Sequence, residues 1–404
     1  MSMKKRILFV DDDAQVLQGL GLRRGLRSMK DEWQMEFASC GKEALDAMNS
    51  TSIDVLVTDM RMPGIDGVQV LVEALEHYPQ TIRVVLSGHA TPETLFRAAS
   101  ATHMILIKPC DTELIKARVQ QMLRRNERLR DESLRSLVAK VAAVPSAPML
   151  FLQVVKELEP ENCSLEKIAQ LVSMDMGMAA SVLHFVNSGY FGGHSPISSP
   201  ERAVHLLGVE AVRDLLITNR ACSSQRTSDF RSFDATMVWS QGIGASVGAR
   251  AIAYAHSENS VMADDAFAAG LFHDIGQVVL SRALGTFYDS VVERALSRGE
   301  PVWMAERDVI GSTHAEVGAH VLGLWGMPDA VVDAVAFHHS PSESGASEFG
   351  ALTALHLADA MEEQKLMEAQ GWSRTVDRGY LRQLGLEGRW EHWMNAMSKD
   401  GIKL

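Results

Sequence analysis

Short apolar runs punctuate the first 123 residues, separated by longer amphipathic stretches. The runs fall near 6–10, 34–37, 53–58, 82–87 and 104–107 and predict five strands. Strands alternating with helices in this way predict a parallel sheet covered on both faces. Helix starts are readable: Thr91-Pro92 sets a capping residue before a proline, and Asp111 caps the last helix of the unit. From Asp111 to about Lys140 there is neither Gly nor Pro, and Leu, Arg and Glu abound. The pattern predicts one long helix leaving the first domain. Leu123, Leu134, Leu137 and Val141 give it a partial apolar stripe, interrupted near Asn126. A solvated linker and a dimerising signalling helix fit that stripe equally.

Pro145 and Pro148 end this pattern, and from there to about 360 the chain reads as helices jointed by Gly, Pro and Ser clusters. Gly189 to Pro200 is the clearest loop. The tail mixes helical patches with Gly371, Gly385 and Gly388, and its Trp372, Trp390 and Trp393 predict packing against the second domain. The expected units are 1–123, a helical linker 124–144, a helical domain 145–360, and a helical extension 361–404 packed on it.

Composition narrows the class. A chain of 404 residues is long enough for two or three domains, and 46% hydrophobic with 22% charged residues is globular. No apolar run approaches the roughly 20 residues a membrane span needs. The basic segment Met1 to Arg6 runs straight into a strand, so no secretory signal is expected there. Cys40, Cys110, Cys163 and Cys222 show no CxxC spacing, which predicts a reducing, cytoplasmic setting. A formal charge of -12 argues against direct DNA binding, since phosphate contacts need a positive face.

Chemistry collects at the strand ends. Asp11 and Asp12 close Ile7-Leu8-Phe9-Val10, Asp59 closes the third run, and Lys108-Pro109 closes the fifth. In an open parallel sheet these ends share one crevice. Three carboxylates there suit a hard divalent cation, and the lysine suits a phosphoryl group. Asp13 is better read as a cap of the first helix.

The motifs VDDD (10–13), TDMRMPGIDG (58–67), LSG (86–88) and IKPC (107–110) closely resemble the receiver domain of two-component response regulators, over about 120 residues. The resemblance implies a flavodoxin-like, doubly wound sheet of five parallel strands, with Asp59 as phosphoacceptor. It implies Mg2+ held by Asp11, Asp12, Asp59 and the backbone carbonyl of Arg61. It gives Ser87 and Lys108 to the phosphoryl group and a cis peptide before Pro109. One departure stands out: Ile105 occupies the position where the family usually has a switching Phe or Tyr.

Two further patterns, SMDMGMAASVLHFVNSGYFG (173–192) with ISSPERAVHLLGVEAVRDLL (197–216), and AGLFHDIGQVVL (269–280) with 314–339 and LADA (357–360), resemble the HDOD domain. This is an all-helical relative of the HD and HD-GYP phosphohydrolases, and Met176 replaces a common proline. His273, Asp274, His314, His338, His339 and Asp359 match the metal-ligand types of those enzymes. Gln241 stands where the first histidine is usual, Gln277 replaces a common lysine, and no GYP motif follows. An amide is a poor ligand and the lost cation would have stabilised phosphoryl charge. The six residues therefore read as a hydrogen-bonded network that holds helices together rather than a hydrolytic site, with residual metal binding without turnover left open. The remaining histidines (His184, His205, His256, His320, His356) read as packing residues, and Asn187-Ser188 as the end of a helix.

The expectation is a cytoplasmic response regulator. A sensor histidine kinase phosphorylates Asp59, and a non-catalytic HDOD domain binds other signalling proteins, with no membrane or DNA partner. The alternative is a receiver-gated, metal-dependent phosphohydrolase acting on a cyclic dinucleotide or nucleotide.

Overall fold

The structure, a computed structural model, describes residues 4–22, 26, 29, 31–88, 98, 101–141, 144–159, 163–190, 195–223, 235–368, 376–389 and 392–393. The strands β1 (Lys5–Val10), β2 (Trp33–Ala38), β3 (Val55–Thr58), β4 (Ile82–Ser87) and β5 (Met104–Ile107) form one sheet in the order β2-β1-β3-β4-β5. Every ladder is parallel. Helices α1 (Ala14–Leu22), α2 (Gly41–Ser50), α3 (Gly67–His77) and α4 (Thr112–Asn126) flank it. β3 and β4 are buried at every position, which is why they read as unbroken apolar runs. The register sets Val10 opposite Thr58 and Ser87 opposite Ile107. Asp11, Asp59 and Lys108 therefore leave the sheet at one level. The predicted start at Thr91-Pro92 lies outside the described residues.

The single helix expected from Asp111 to Lys140 is instead two helices, α4 and α5 (Glu132–Val138). Asp111 caps α4 by accepting from Glu113 N at 3.2 Å, and Asp131 caps α5 by accepting from Leu134 N at 2.8 Å. An aspartate that offers the backbone this alternative bond starts a new helix rather than continuing the old one. Leu129, within the break, is buried in the core.

The second body has helices and no strand among its described residues. Its first half comprises α6 (Pro148–Glu157), α7 (Leu165–Ser173), α8 (Met176–Phe185), α9 (Pro200–Ser223), α10 (Ala235–Ser257) and α11 (Ser260–Phe272). There follow α12 (Ile275–Leu284), α13 (Thr286–Arg298), α14 (Val302–Val309), α15 (His314–Leu324), α16 (Asp329–Phe337), α17 (Ala351–Glu368) and α18 (Arg378–Gln383). α8 runs into a π turn, Val186–Tyr190, and α9 is interrupted at Gly208. Tyr380, Leu381 and Trp393 are buried, with the Trp393 ring 5.4 Å from that of Phe349. Trp372 and Trp390 lie outside the described residues.

The two bodies pack together. Arg125 reaches from α4 to the carbonyls of Gly323 (2.8 Å) and Met327 (3.1 Å) and to Asp329 (2.8 Å). His184 contributes a ring nitrogen 3.1 Å from the carbonyl of Thr102. The π turn lies on β5: a Cβ at Gly189, whose φ is +107°, would sit 2.2 Å from the Ile105 carbonyl. Only a residue without a side chain tolerates both that torsion and that approach.

Candidate functional sites

The sheet brings the acidic residues and the lysine together. Ligand oxygens of Asp11, Asp12 and Asp59 lie within 4.8 Å of one another. Lys108 Nζ is 2.5 Å from Asp11 Oδ2 and 3.5 Å from Asp59 Oδ1. Asp11 is buried, and Ser87 is buried at the end of β4. The Lys108-Pro109 peptide is cis. Arg61 lies exposed on the loop after β3. That loop folds back so tightly that a Cβ at Gly67 would fall 1.9 Å from the Asp59 carbonyl, and a capping box of Asp66 with Gln69 then starts α3. Asp13 belongs to α1, where Oδ1 accepts from Gln15 N at 2.8 Å.

Burial raises the Asp59 pKa, the neighbouring Asp11 charge adds to this, and Lys108 opposes it. Three carboxylates against one ammonium leave an excess of negative charge among hard oxygen donors, which fits Mg2+. Ile105, buried in β5, turns its carbonyl to the π turn of the second body.

The second cluster sits where α12, α15, α16 and α17 converge. His273 and Asp274 form the joint between α11 and α12. α12 can approach α15 only because position 276 is glycine: a Cβ there would lie 1.9 Å from the His314 carbonyl. His314 opens α15 behind a capping box of Thr313 with Glu316, and His338 ends α16. His273, Asp274, His314, His338 and Asp359 are all buried. His273 Nε2 lies 3.3 Å from Asp274 Oδ2 and 3.4 Å from Asp359 Oδ1, and His314 Nε2 lies 3.0 Å from Asp274 Oδ1. His339 Nε2 faces His314 Nε2 at 2.8 Å.

Burial opposes protonation of His314, but Glu306 and Asp274 outweigh it and raise its pKa to about 10. Asp274 and Asp359 act on His273 in the same sense, again against burial. Burial holds His338 down to about 3.

This is not the self-satisfied network expected. The buried His338 Nε2 has no hydrogen-bond partner, and Asp274 Oδ1 has only the ion-pair distance to His314. Glu306, which the sequence did not single out, is fully buried and accepts from Tyr288 OH (2.6 Å), His314 N (2.7 Å) and His314 Nδ1 (2.8 Å). Its only signal was a carboxylate one helix upstream of His314. Gln277 takes the first turn of α12, where its N–H donates to the Asp274 carbonyl, and Gln241 lies on α10. Of the other histidines, His356 accepts from Asp377 N and contacts the His338 carbonyl through Nδ1 at 2.8 Å, while His256 stacks on Phe349. His205 lies near Glu166, and His320 is buried on α15. Asn187 does more than end a helix: its amide exchanges two bonds of 2.8 Å with the backbone of Ile197, closing the loop.

Comparison with known proteins agrees with this geometry. The family model of the response regulator receiver domain matches residues 7–120, and that of the HDOD domain matches 144–341. An uncharacterized protein of Treponema pallidum (strain Nichols) is 26% identical over 206 residues, 51% of this chain and 39% of its own length. Transcriptional regulatory protein PrrA of Mycobacterium leprae (strain TN) is 37% identical over 122 residues, 30% of this chain and 50% of its own. The chain thus spans half or less of these relatives. The MmoQ response regulator of Methylococcus capsulatus str. Bath shares the fold, with TM-score 0.50 and 23% identity over 63% of this chain and 98% of its own. Among the described residues no single helix is long and apolar enough to cross a membrane. The chain is a response regulator receiver domain joined to an HDOD domain.

Proposed function

We propose that a sensor histidine kinase phosphorylates this protein on Asp59 in the cytoplasm, and that the HDOD domain converts the change into binding of other signalling proteins. The observation that carries this reading is the Asp59 carboxylate, 3.5 Å from Lys108 and within 4.8 Å of the Asp11 and Asp12 oxygens. Asp11, Asp12, Asp59 and the Arg61 carbonyl would hold Mg2+, which when bound offsets the charge of the incoming group and its acceptor. Lys108, now shared between Asp11 and Asp59, turns to the phosphoryl oxygens, and Ser87 donates a hydrogen bond to them.

The change then reaches the HDOD domain through β5, whose Ile105 carbonyl meets Gly189 directly. A backbone contact of this kind needs no aromatic switch, which accommodates isoleucine at 105. A protein-binding output is supported by a line of exposed apolar residues on α6: Met149, Leu152 and Val155, at 69%, 53% and 39% exposure. The hydrolase alternative is disfavoured by closure of the His/Asp cluster, because a catalytic metal keeps a position open to substrate. Incubation with radiolabelled acetyl phosphate and Mg2+ tests the reading. Label is expected on the native chain and absent from Asp59→Asn, and label persisting in that variant would reject it.

A further inference from the structure

We propose that one small monovalent inorganic anion of the size of chloride binds at the junction of the two domains, held by Arg83 and His103 of the receiver and His320 of the HDOD domain. These residues, with Thr102, His184 and Trp325, line a cavity of about 40 Å3, and no carboxylate lines it among the described residues. A water molecule's share of the liquid is about 30 Å3, so the space takes one ion of that size and no organic phosphate.

Two hydrogen-bond donors meet in this cavity with no acceptor between them. The backbone N–H of Arg83 donates to His103 Nδ1 at 3.0 Å, which commits the lone pair of that nitrogen and puts the ring proton on Nε2. His103 Nε2 in turn lies 3.4 Å from Arg83 Nη2, which is also a donor. The rest of the guanidinium is satisfied: Nε donates to the Ala101 carbonyl at 2.6 Å, and Nη1 to those of Pro79 and Thr81 at 3.0 and 2.8 Å. From the HDOD side comes His320, 1% exposed, with neither ring nitrogen hydrogen-bonded. The Arg125 carbonyl lies near that ring but outside hydrogen-bond geometry. An acceptor placed among the three groups satisfies all of them.

Charge decides between water and an anion as that acceptor. Arg83 is 3% exposed, and among the described residues no carboxylate pairs with it; burial lowers its pKa to about 10. Burial first, then Arg83, His184 and His320, hold the pKa of His103 well down, so every neighbouring charge that bears on it is positive. A buried cation without a counter-charge is costly. Water would satisfy the donors and leave that charge unbalanced. One monoanion does both, and it balances the fixed charge of Arg83 with both histidines still neutral. Because its donors come from both domains, the ion also bridges them.

The inference does not rest on the phosphorelay reading, and labelling of Asp59 has no bearing on it. Hydrogen exchange of the full chain is followed by mass spectrometry at about pH 8 with a chelator present. Chloride replaces gluconate, an anion too large for the cavity, at fixed ionic strength. Exchange in peptides covering 102–107 and 319–327 should slow saturably, by about tenfold once chloride reaches about ten times its dissociation constant. His103→Asn keeps an acceptor for the Arg83 N–H but removes the Nε2 donor, and His320→Leu removes the donor of the other domain. Each should lose the chloride dependence while keeping the circular dichroism of the parent. Chloride-independent exchange in the parent overturns the proposal, with water as the occupant, whatever the variants do. A dependence that persists in His103→Asn overturns the placement of the ion, and one that persists in His320→Leu overturns the bridging of the two domains.

Discussion

Replacing Arg125 with alanine should loosen the junction between the two domains without unfolding either. The side chain is 7% exposed and donates to the Gly323 and Met327 carbonyls and to Asp329. Asp329 is 65% exposed in its side chain, so that ion pair is screened and contributes little. The two carbonyl bonds, charge-assisted and buried, are worth roughly 1.5 kcal/mol each after allowing for the hydration Arg125 regains when undocked. The loss is therefore about 3 kcal/mol, or about a hundredfold in the docking equilibrium. Hydrogen exchange read by mass spectrometry should show faster exchange in peptides covering 102–107, 184–190 and 319–327, with the centre of the sheet unchanged. Arg128→Ala is the control: its 2.8 Å pair with Asp333 is exposed on both sides and should cost under about 1 kcal/mol. Unaltered protection at both faces in Arg125→Ala would refute the view that this arginine clamps the junction.

Three other outcomes follow from the geometry. Lys108→Ala should still bind Mg2+ but respond weakly to phosphorylation, because the cation shared by Asp11 and Asp59 is gone; equal activation of variant and parent in a domain-undocking assay would contradict this. Gly276→Ala should lower the stability of the HDOD domain by about 3 kcal/mol, since its Cβ would fall 1.9 Å from the His314 carbonyl, and an unchanged melting curve would count against that close approach. His320 is buried with its pKa lowered to about 4, burial being the main cause and Arg135 the lesser. The unfolded chain takes up that proton near pH 6.5 while the folded chain resists it until about pH 4, so stability falls through this window as pH falls, by about 1.4 kcal/mol per unit. Denaturant midpoints of the native protein and His320→Leu should therefore diverge between about pH 6.5 and 5, with the native protein the more pH-sensitive; parallel curves would exclude the effect.

The five strands and the acidic ends were legible because burial on both faces leaves apolar runs, and functional carboxylates then stand out at their termini. The break before α5 was not, because Asp131 acts through one capping bond and leaves the helical spacing of Leu123 and Leu134 undisturbed. In the HDOD domain the ligand types were legible, but their protonation geometry was not. Which nitrogen of His314 points inward depends on Glu306, and which atom of His338 is orphaned depends on the carbonyl of Val335. Neither partner has a sequence signature, since one is a lone carboxylate in a helix and the other is backbone. The fit of Gly189 against β5 is likewise a contact between distant segments that no local pattern encodes.

Because the π turn already occupies β5, the outer margin of the sheet is not free to receive a second molecule in the same way. A tethered occupant competes at an effective concentration on the order of millimolar. Any self-association that uses this margin must therefore displace the chain's own turn first, and dimers too weak to do so would form only once the tether has let go.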